Sequence, residues 1–475
     1  MIKKFLTKDL LVLSLILIIS YLILTICVSD SPVWGDEPHY LLIAYSLAFD
    51  FDSNLHNNSF AQLDEYFFVH NSKNIKFHAT PQTNSDKIYS RHEIGLPLLL
   101  APVLRLASTT PFPRIIMLLF MNLLGYLTII NMYLLLRRYG KQSAFLVSIA
   151  VGLSAPMYFY SAQIFSDLVA ALVILYSYRK IQDVMTINVG HFLWLGFILS
   201  FLPWLHIKYV PVTVFLYLYY GCQMKVHKGQ MLAQFARITA AAVISAILLF
   251  VSFYYRFESF FPLAAWKGEN YLDISIIPYS VIGTLLDTSK GLFVYAPFYF
   301  FSITALVFLR SIPNKIPLLC IFLLTQGINL LHPVWWGGFC PPGRYSLVAI
   351  FILAILLQVF INNAHKITCL VVYLSFALSI INTCIMLIMR KEDVPYMIWS
   401  WGKSEYTLSH FYDIYFLPNL IFQQGQQVDA GEIATSVEIF TMFLFVTAVV
   451  MVCERYNWQR NTEVQTLVDD SREST

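Results

Sequence analysis

Apolar and polar positions alternate along this chain in blocks, not in single residues. Long, predominantly apolar runs fall at 10–29, 113–136, 143–160, 164–180, 189–205, 208–222, 231–254, 291–310, 315–332, 345–362, 367–389 and 434–453. Runs of this length and composition predict membrane helices. Three long polar segments separate them, at 30–92, 255–290 and 390–433. The stretch 93–108, EIGLPLLLAPVLRLAS, is apolar but short, with two prolines and Arg105. As a span it would carry Arg137, Arg138 and Lys141 to the outer side, so a helix lying in the interface or re-entering it is expected. The pattern predicts an all-α polytopic membrane protein with about 12 transmembrane helices and interfacial helices in the first outer loop. Residues 1–389 form one transmembrane module including the outer loop 30–112. Residues 390–475 supply a further outer loop, the last span and a tail.

Composition agrees with the pattern. The chain is 58% hydrophobic and 12% charged, with mean hydropathy +0.64. Soluble domains carry about twice that charge. A net charge of +3 with no basic stripe gives no support for a nucleic-acid partner, and none is expected. The seven cysteines are scattered and show neither C-x-x-C nor zinc spacing. Lys3, Lys4 and Lys8 precede the first run, which is longer than a signal-peptide core and is read as an uncleaved span with its N-terminus inside. Lys and Arg then concentrate in short inner turns and tails (Arg137, Arg138, Lys141, Arg179, Lys180, Lys225, Lys228, Arg310, Lys315, Lys366, Arg455), as the positive-inside rule requires. Both termini fall inside and all three long polar segments outside.

The conspicuous polar residues also collect on the outer side. WGDEPHYLLIAYSLAFDFD, just past the first span, has Asp36 and Glu37 before a helical apolar spacing, with Pro38 suited to a first turn. The two acids either cap that helix or include a general base, which needs a fixed position and a pKa raised by low-dielectric surroundings. Two adjacent side chains diverge at a helix start, so one can face a cavity while the other holds a second partner. In LLDTSKGLFVYAPFYF, Asp287 and Lys290 are either a juxtamembrane cap or a headgroup-level phosphate contact. In HPVWWGGFCPPGRYSLV, Trp335 and Trp336 fit an interfacial aromatic belt, while the planar fork of Arg344 suits a phosphate and needs a partner if buried. His92, Glu93, Asp167, His206 and Lys208 lie at the outer ends of other spans. Snorkelling accounts for any one of them; their gathering on one side points to a site.

These elements, together with HEIGLPLLLAP, IFSDLVAAL and WLHIKYV, occur in an order that resembles GT-C class integral-membrane glycosyltransferases. The chain looks like bacterial relatives of the protein O-mannosyltransferases and the aminoarabinose transferase, over about residues 30–350. The resemblance implies a catalytic carboxylate at Asp36, with Glu37 beside it. It also implies a donor sugar on a polyprenyl phosphate, and an active site facing the periplasmic side of a bacterial inner membrane. Lys208, Lys290 and Arg344 become candidate phosphate ligands, with His92, Asp167, His206 and Asp287 around them. A glycan, glycolipid or protein would be the acceptor. The chemistry requires no cofactor, although a divalent metal could sit near Asp36, Glu37, Asp50 or Asp52. Two other readings stay open: a transporter or flippase for lipid-linked saccharides, which should place polar residues near the bilayer midplane, and a scaffold or polymer-length regulator.

Overall fold

The computed structural model of the chain describes residues 8–67, 77–83, 85–183, 189–223, 228–262, 265, 272–312, 314–388, 420 and 438–456. Helices of nine residues or more are, in chain order, α1 Lys8–Val28, α2 Glu37–Tyr45, α3 Gly95–Ala107, α4 Pro113–Leu136, α5 Lys141–Gly152, α6 Ser166–Ile181, α7 Val189–Ser200, α8 Val210–Gln223, α9 Lys228–Phe257, α10 Ile277–Leu286, α11 Lys315–Leu330, α12 Ile350–Asn363, α13 Lys366–Ile388 and α14 Glu438–Tyr456. Apart from Leu420, the polar segment 390–433 lies outside the described residues.

Among the described residues, five helices are long and apolar enough to cross a membrane: α1, α4, residues Thr239–Phe257 of α9, α13 and α14. Their outer faces are apolar, unlike those of a soluble helix. In α1, Leu13, Leu17, Tyr21 and Leu24 are buried at helical spacing, while Leu11, Leu15, Ile19, Ile23 and Ile26 are exposed. In α13, Ser379, Asn382 and Thr383 point inward, while Leu370, Leu374, Leu378 and Ile381 point outward. An apolar outer face over polar inner contacts is what a lipid surround favours. The other expected spans are shorter or interrupted. The 291–310 run divides into short α and 3₁₀ turns at Leu292–Tyr295, Pro297–Tyr299, Phe300–Thr304 and Ala305–Ser311. The 143–160 run breaks after Gly152 and resumes at Met157–Tyr160. Pro156 and Pro297 sit at these breaks, where a missing N–H ends the ladder.

The polar segment 30–92 departs from the all-α expectation. It contains a small antiparallel hairpin, β1 Ala79–Pro81 and β2 Ile88–Ser90, in register Ala79 to Ser90. Thr80 of this hairpin donates to the carbonyl of Ala265 at 2.9 Å. Segment 93–108 forms α3, a 13-residue helix containing Pro102 that packs against α2. Helix α4 packs on α1, α3, α5 and α6, and α9 lies along α7. Helix α6 carries Asp167 near its start and Arg179 near its end, about 18 Å apart at 1.5 Å per residue. Arg179 donates there to Asn131 at 2.7 Å, and Arg138 pairs with Asp183 at 2.8 Å. The polar cluster around Asp167 therefore occupies one end of the helical body.

Candidate active site

The WGDE turn is held by backbone geometry. Gly35 has φ +62°, and a Cβ there would lie 2.1 Å from the carbonyl oxygen of Phe339. Only glycine fits both demands. Trp34 packs edge-on against Phe339 at 5.3 Å, so this turn sits directly on the loop between α11 and α12. Asp36 takes the N-cap position of α2 by its backbone, its carbonyl accepting from Tyr40 N–H at 3.1 Å. Neither acid caps the helix with its side chain.

The two side chains part instead. Glu37 turns inward, is buried, and accepts from Ile164 N–H at 3.0 Å and Trp34 N–H at 3.2 Å, with Arg114 at 3.6 Å. Its oxygens tie α2 to the turn before α6 and to α4. Asp36 faces Arg344, whose Nη2 donates to Asp36 Oδ2 at 2.6 Å. The Nε of Arg344 donates to Asp167 Oδ2 at 2.9 Å, and its Nη1 to the Gly337 carbonyl at 2.8 Å. Lys208 Nζ donates to Asp167 Oδ1 at 2.9 Å, and Tyr209 donates to the same oxygen at 2.7 Å. Tyr40 and Ser166 hydroxyls lie 3.1 Å apart and join α2 to the first turn of α6.

Asp36, Asp167, Arg344 and Lys208 thus form a balanced chain of two acids and two bases. Aromatic faces enclose it: Arg344 lies over Phe165 at 4.5 Å, and Lys208 over Tyr345 at 4.5 Å. The Asp36 side chain keeps 21% exposure, against 1% for Asp167, so Asp36 is the acid a substrate can reach. Burial by itself would raise the Asp36 carboxyl. Arg344, followed by His92, outweighs it and holds the group well below the usual carboxylate range. The position of Asp36 is fixed as expected of a base, but its proton affinity is lowered and not raised, because an ion pair outweighs desolvation.

The remaining expected site residues are divided between two neighbouring groups. Lys290 is buried and donates to the Cys340 carbonyl, in the same loop as Arg344. Among the described residues no carboxylate lies within ion-pair distance of its ammonium. Asp287 Oδ1 accepts from Ser289 and Lys290 N–H at 2.8 and 2.9 Å, and Oδ2 from Leu420 N–H at 2.7 Å. Burial pushes Asp287 up to about 6 against those hydrogen bonds and the Lys290 charge. On the other side, His206 Nδ1 accepts from Lys208 N–H at 3.1 Å, and Glu93 accepts from Ile207 N–H at 3.2 Å. Burial raises Glu93 to about 7 and keeps His206 neutral. His92 is buried beside Asp36, and desolvation lowers its pKa to about 4.

Trp335 and Trp336 are buried at 3% and 5% exposure and do not form an interfacial belt; Trp335 fills the space over Gly283. All four acids considered for a metal are engaged by protein donors, Asp36 by Arg344 as above. Glu37 is described above, Asp50 accepts from Asn58 at 2.8 Å, and Asp52 from Ser46 and Asn54, both at 2.9 Å. Sequence reasoning missed Tyr209, Tyr345, Phe165 and Phe339, which read as ordinary apolar positions. It also passed over His39 and His78, whose separation in sequence matches no known ligand spacing.

Neither a protein-family model nor a curated protein matches the chain. A solved structure of the Archaeoglobus fulgidus oligosaccharyltransferase, tethered through a disulfide bond to an acceptor peptide containing the NVT sequon, matches with a TM-score of 0.38 at 10% identity. The match covers 92% of this chain and 55% of that one, so the chain spans about half the length of that protein. At that TM-score the likeness is too loose to transfer a role to any residue.

Proposed function

We propose that this chain is an integral-membrane glycosyltransferase. It moves a sugar from a polyprenyl-phosphate donor to an acceptor hydroxyl at the outer face of the membrane. The observation that carries the reading is the Asp36–Arg344–Asp167–Lys208 chain at one end of an apolar helical body. A lipid-phosphate leaving group needs cations where charge develops, and Arg344 and Lys208 stand beside the one accessible acid. Lys290, buried with only a carbonyl partner among the described residues, is a third cation suited to that phosphate.

In this mechanism the acceptor oxygen forms a bond to the anomeric carbon as the bond from that carbon to the phosphate oxygen breaks. The acceptor proton passes to Asp36, and polyprenyl phosphate departs. Asp36 paired to Arg344 is a weak base. A donor phosphate drawing the guanidinium to itself would remove the main attraction that lowers the carboxyl, so donor binding would itself raise Asp36 basicity. The base is then strongest only when donor is present. Glu37 serves as a brace that aims Asp36.

Mass spectrometry of the purified full chain, with transfer assays in membranes, tests the proposal. Wild-type protein should carry polyprenyl phosphate or its sugar ester. Arg344→Ala should lose that lipid. Asp36→Asn should keep it and lose transfer by two orders of magnitude or more, within the usual ~10²–10⁴ for general base removal. Full transfer by Asp36→Asn would remove Asp36 as base. Lipid-linked saccharide flux in proteoliposomes without any transfer would replace the enzyme with a transporter.

A further inference from the structure

Three histidines from separate parts of the first outer segment meet beside Asp36. His39 lies on α2, His78 just before β1, and His92 between β2 and α3. One ring nitrogen from each lies within 4.8 Å of the others, and His78 Nδ1 is 3.2 Å from His92 Nε2. Zinc–nitrogen bonds of about 2.0–2.1 Å at a tetrahedral ion place neighbouring nitrogens ~3.3 Å apart. We propose that His39, His78 and His92 hold one divalent late-first-row cation of the zinc class, with the fourth position open to solvent on the exposed side of His78.

His39 supplies an independent observation. It is 95% buried, and among the described residues its ring has stacking neighbours but no hydrogen bond. A largely buried imidazole with no protein hydrogen bond has ring nitrogens free to ligate, and a metal bond would give them a partner. Phe60 meets His39 edge-on at 5.3 Å, and Tyr40 meets His92 at 5.2 Å. The three rings lie 12–22° from parallel, so binding one ion requires them to turn about their Cβ–Cγ bonds until their in-plane lone pairs converge. Three neutral imidazoles without a carboxylate select zinc, copper, nickel or iron over magnesium or calcium, which take oxygen ligands. Hydrogen bonding between His78 and His92 is the competing account of their approach, but it leaves His39 unexplained.

Such an ion would pin the hairpin and the start of α3 to α2, one helical turn beyond Asp36. It would also add positive charge near that carboxylate, which already interacts with His39 and His92. Zinc binding here is independent of sugar transfer and is read without any activity measurement. The full chain, purified in detergent and stripped with a chelator, is incubated with micromolar Zn²⁺, desalted, and its zinc measured by elemental mass spectrometry. One zinc per chain is expected. Titration with Co²⁺ should give the visible absorption of a four-coordinate nitrogen-rich site. His78→Ala changes an exposed loop residue and should weaken zinc binding by roughly 100-fold or more, since outer-sphere partners alone are worth 10–100-fold. His39→Gln should do the same. Wild-type protein that retains no zinc overturns the proposal, whatever the variants do. So does one zinc per chain bound equally tightly by His78→Ala and His39→Gln.

Discussion

Arg344 makes hydrogen bonds to three groups from distant parts of the chain: Asp36, Asp167 and the Gly337 carbonyl. A planar fork reaches all three at once, and a lysine ammonium on a flexible stem does not. Removing one member of such a buried set leaves charge uncompensated, which costs about 3–5 kcal/mol. Asp287 is governed by the opposite balance. Burial raises it to about 6, above the ordinary value of an unfolded chain. Between about pH 4 and 6 the folded protein therefore holds more protons than the unfolded one, so stability falls as pH rises through that window and stays at its lower level above it. Asp287→Asn removes the titration. Its melting temperature in detergent, minus that of the parent, should grow more positive from pH 4 to pH 6. A difference that stays flat across that range would contradict the buried, raised carboxyl.

The element that organises the site is the loop between α11 and α12. Gly337, Gly338 and Gly343 all take positive φ there, and the loop sets both Arg344 and the Phe339 carbonyl. Gly35 packs against that carbonyl with no room for a methyl group. Gly35→Ala should therefore destabilise the protein by several kcal/mol, a strained φ of 1–3 kcal/mol plus the clash. Gly327 is the control: it lies within α11, and nothing lies within 4 Å of a Cβ built there. Gly327→Ala should be neutral or stabilising by about 0.5–1 kcal/mol. Equal melting temperatures for the two variants would show that the WGDE turn does not depend on Phe339.

For the whole molecule, the arrangement puts the polar cluster at one end of α6 and the Arg138–Asp183 pair at the other. Cysteines introduced at exposed positions should report that polarity. His56→Cys, in the polar segment 30–92 that the proposed function places outside, should react with a membrane-impermeant maleimide in intact cells. Lys141→Cys, at the start of α5, should react only after lysis. Both measurements are read against the parent chain, and the opposite labelling pattern would invert the orientation. Native Cys340 is unsuitable as a reporter because it is buried from either side.

Membrane character was legible from sequence because hydropathy and length add up locally. Helix α1 needs no partner to be recognised, since an uncharged run of its length already spans about 30 Å. The prominence of Asp36, Asp167, Lys208 and Arg344 was legible for a related reason: charge stands out in an apolar chain. Their pairing was not, because Asp36 and Arg344 are 308 residues apart and nothing local encodes that distance. Tertiary contact alone decided that Asp36 rather than Glu37 faces the cations, and that an ion pair rather than burial sets the Asp36 proton affinity. The same holds for Trp335 and Trp336, which the interior buries. It holds most of all for His39, His78 and His92, whose nitrogens come together only when a hairpin and two helix starts close on one point.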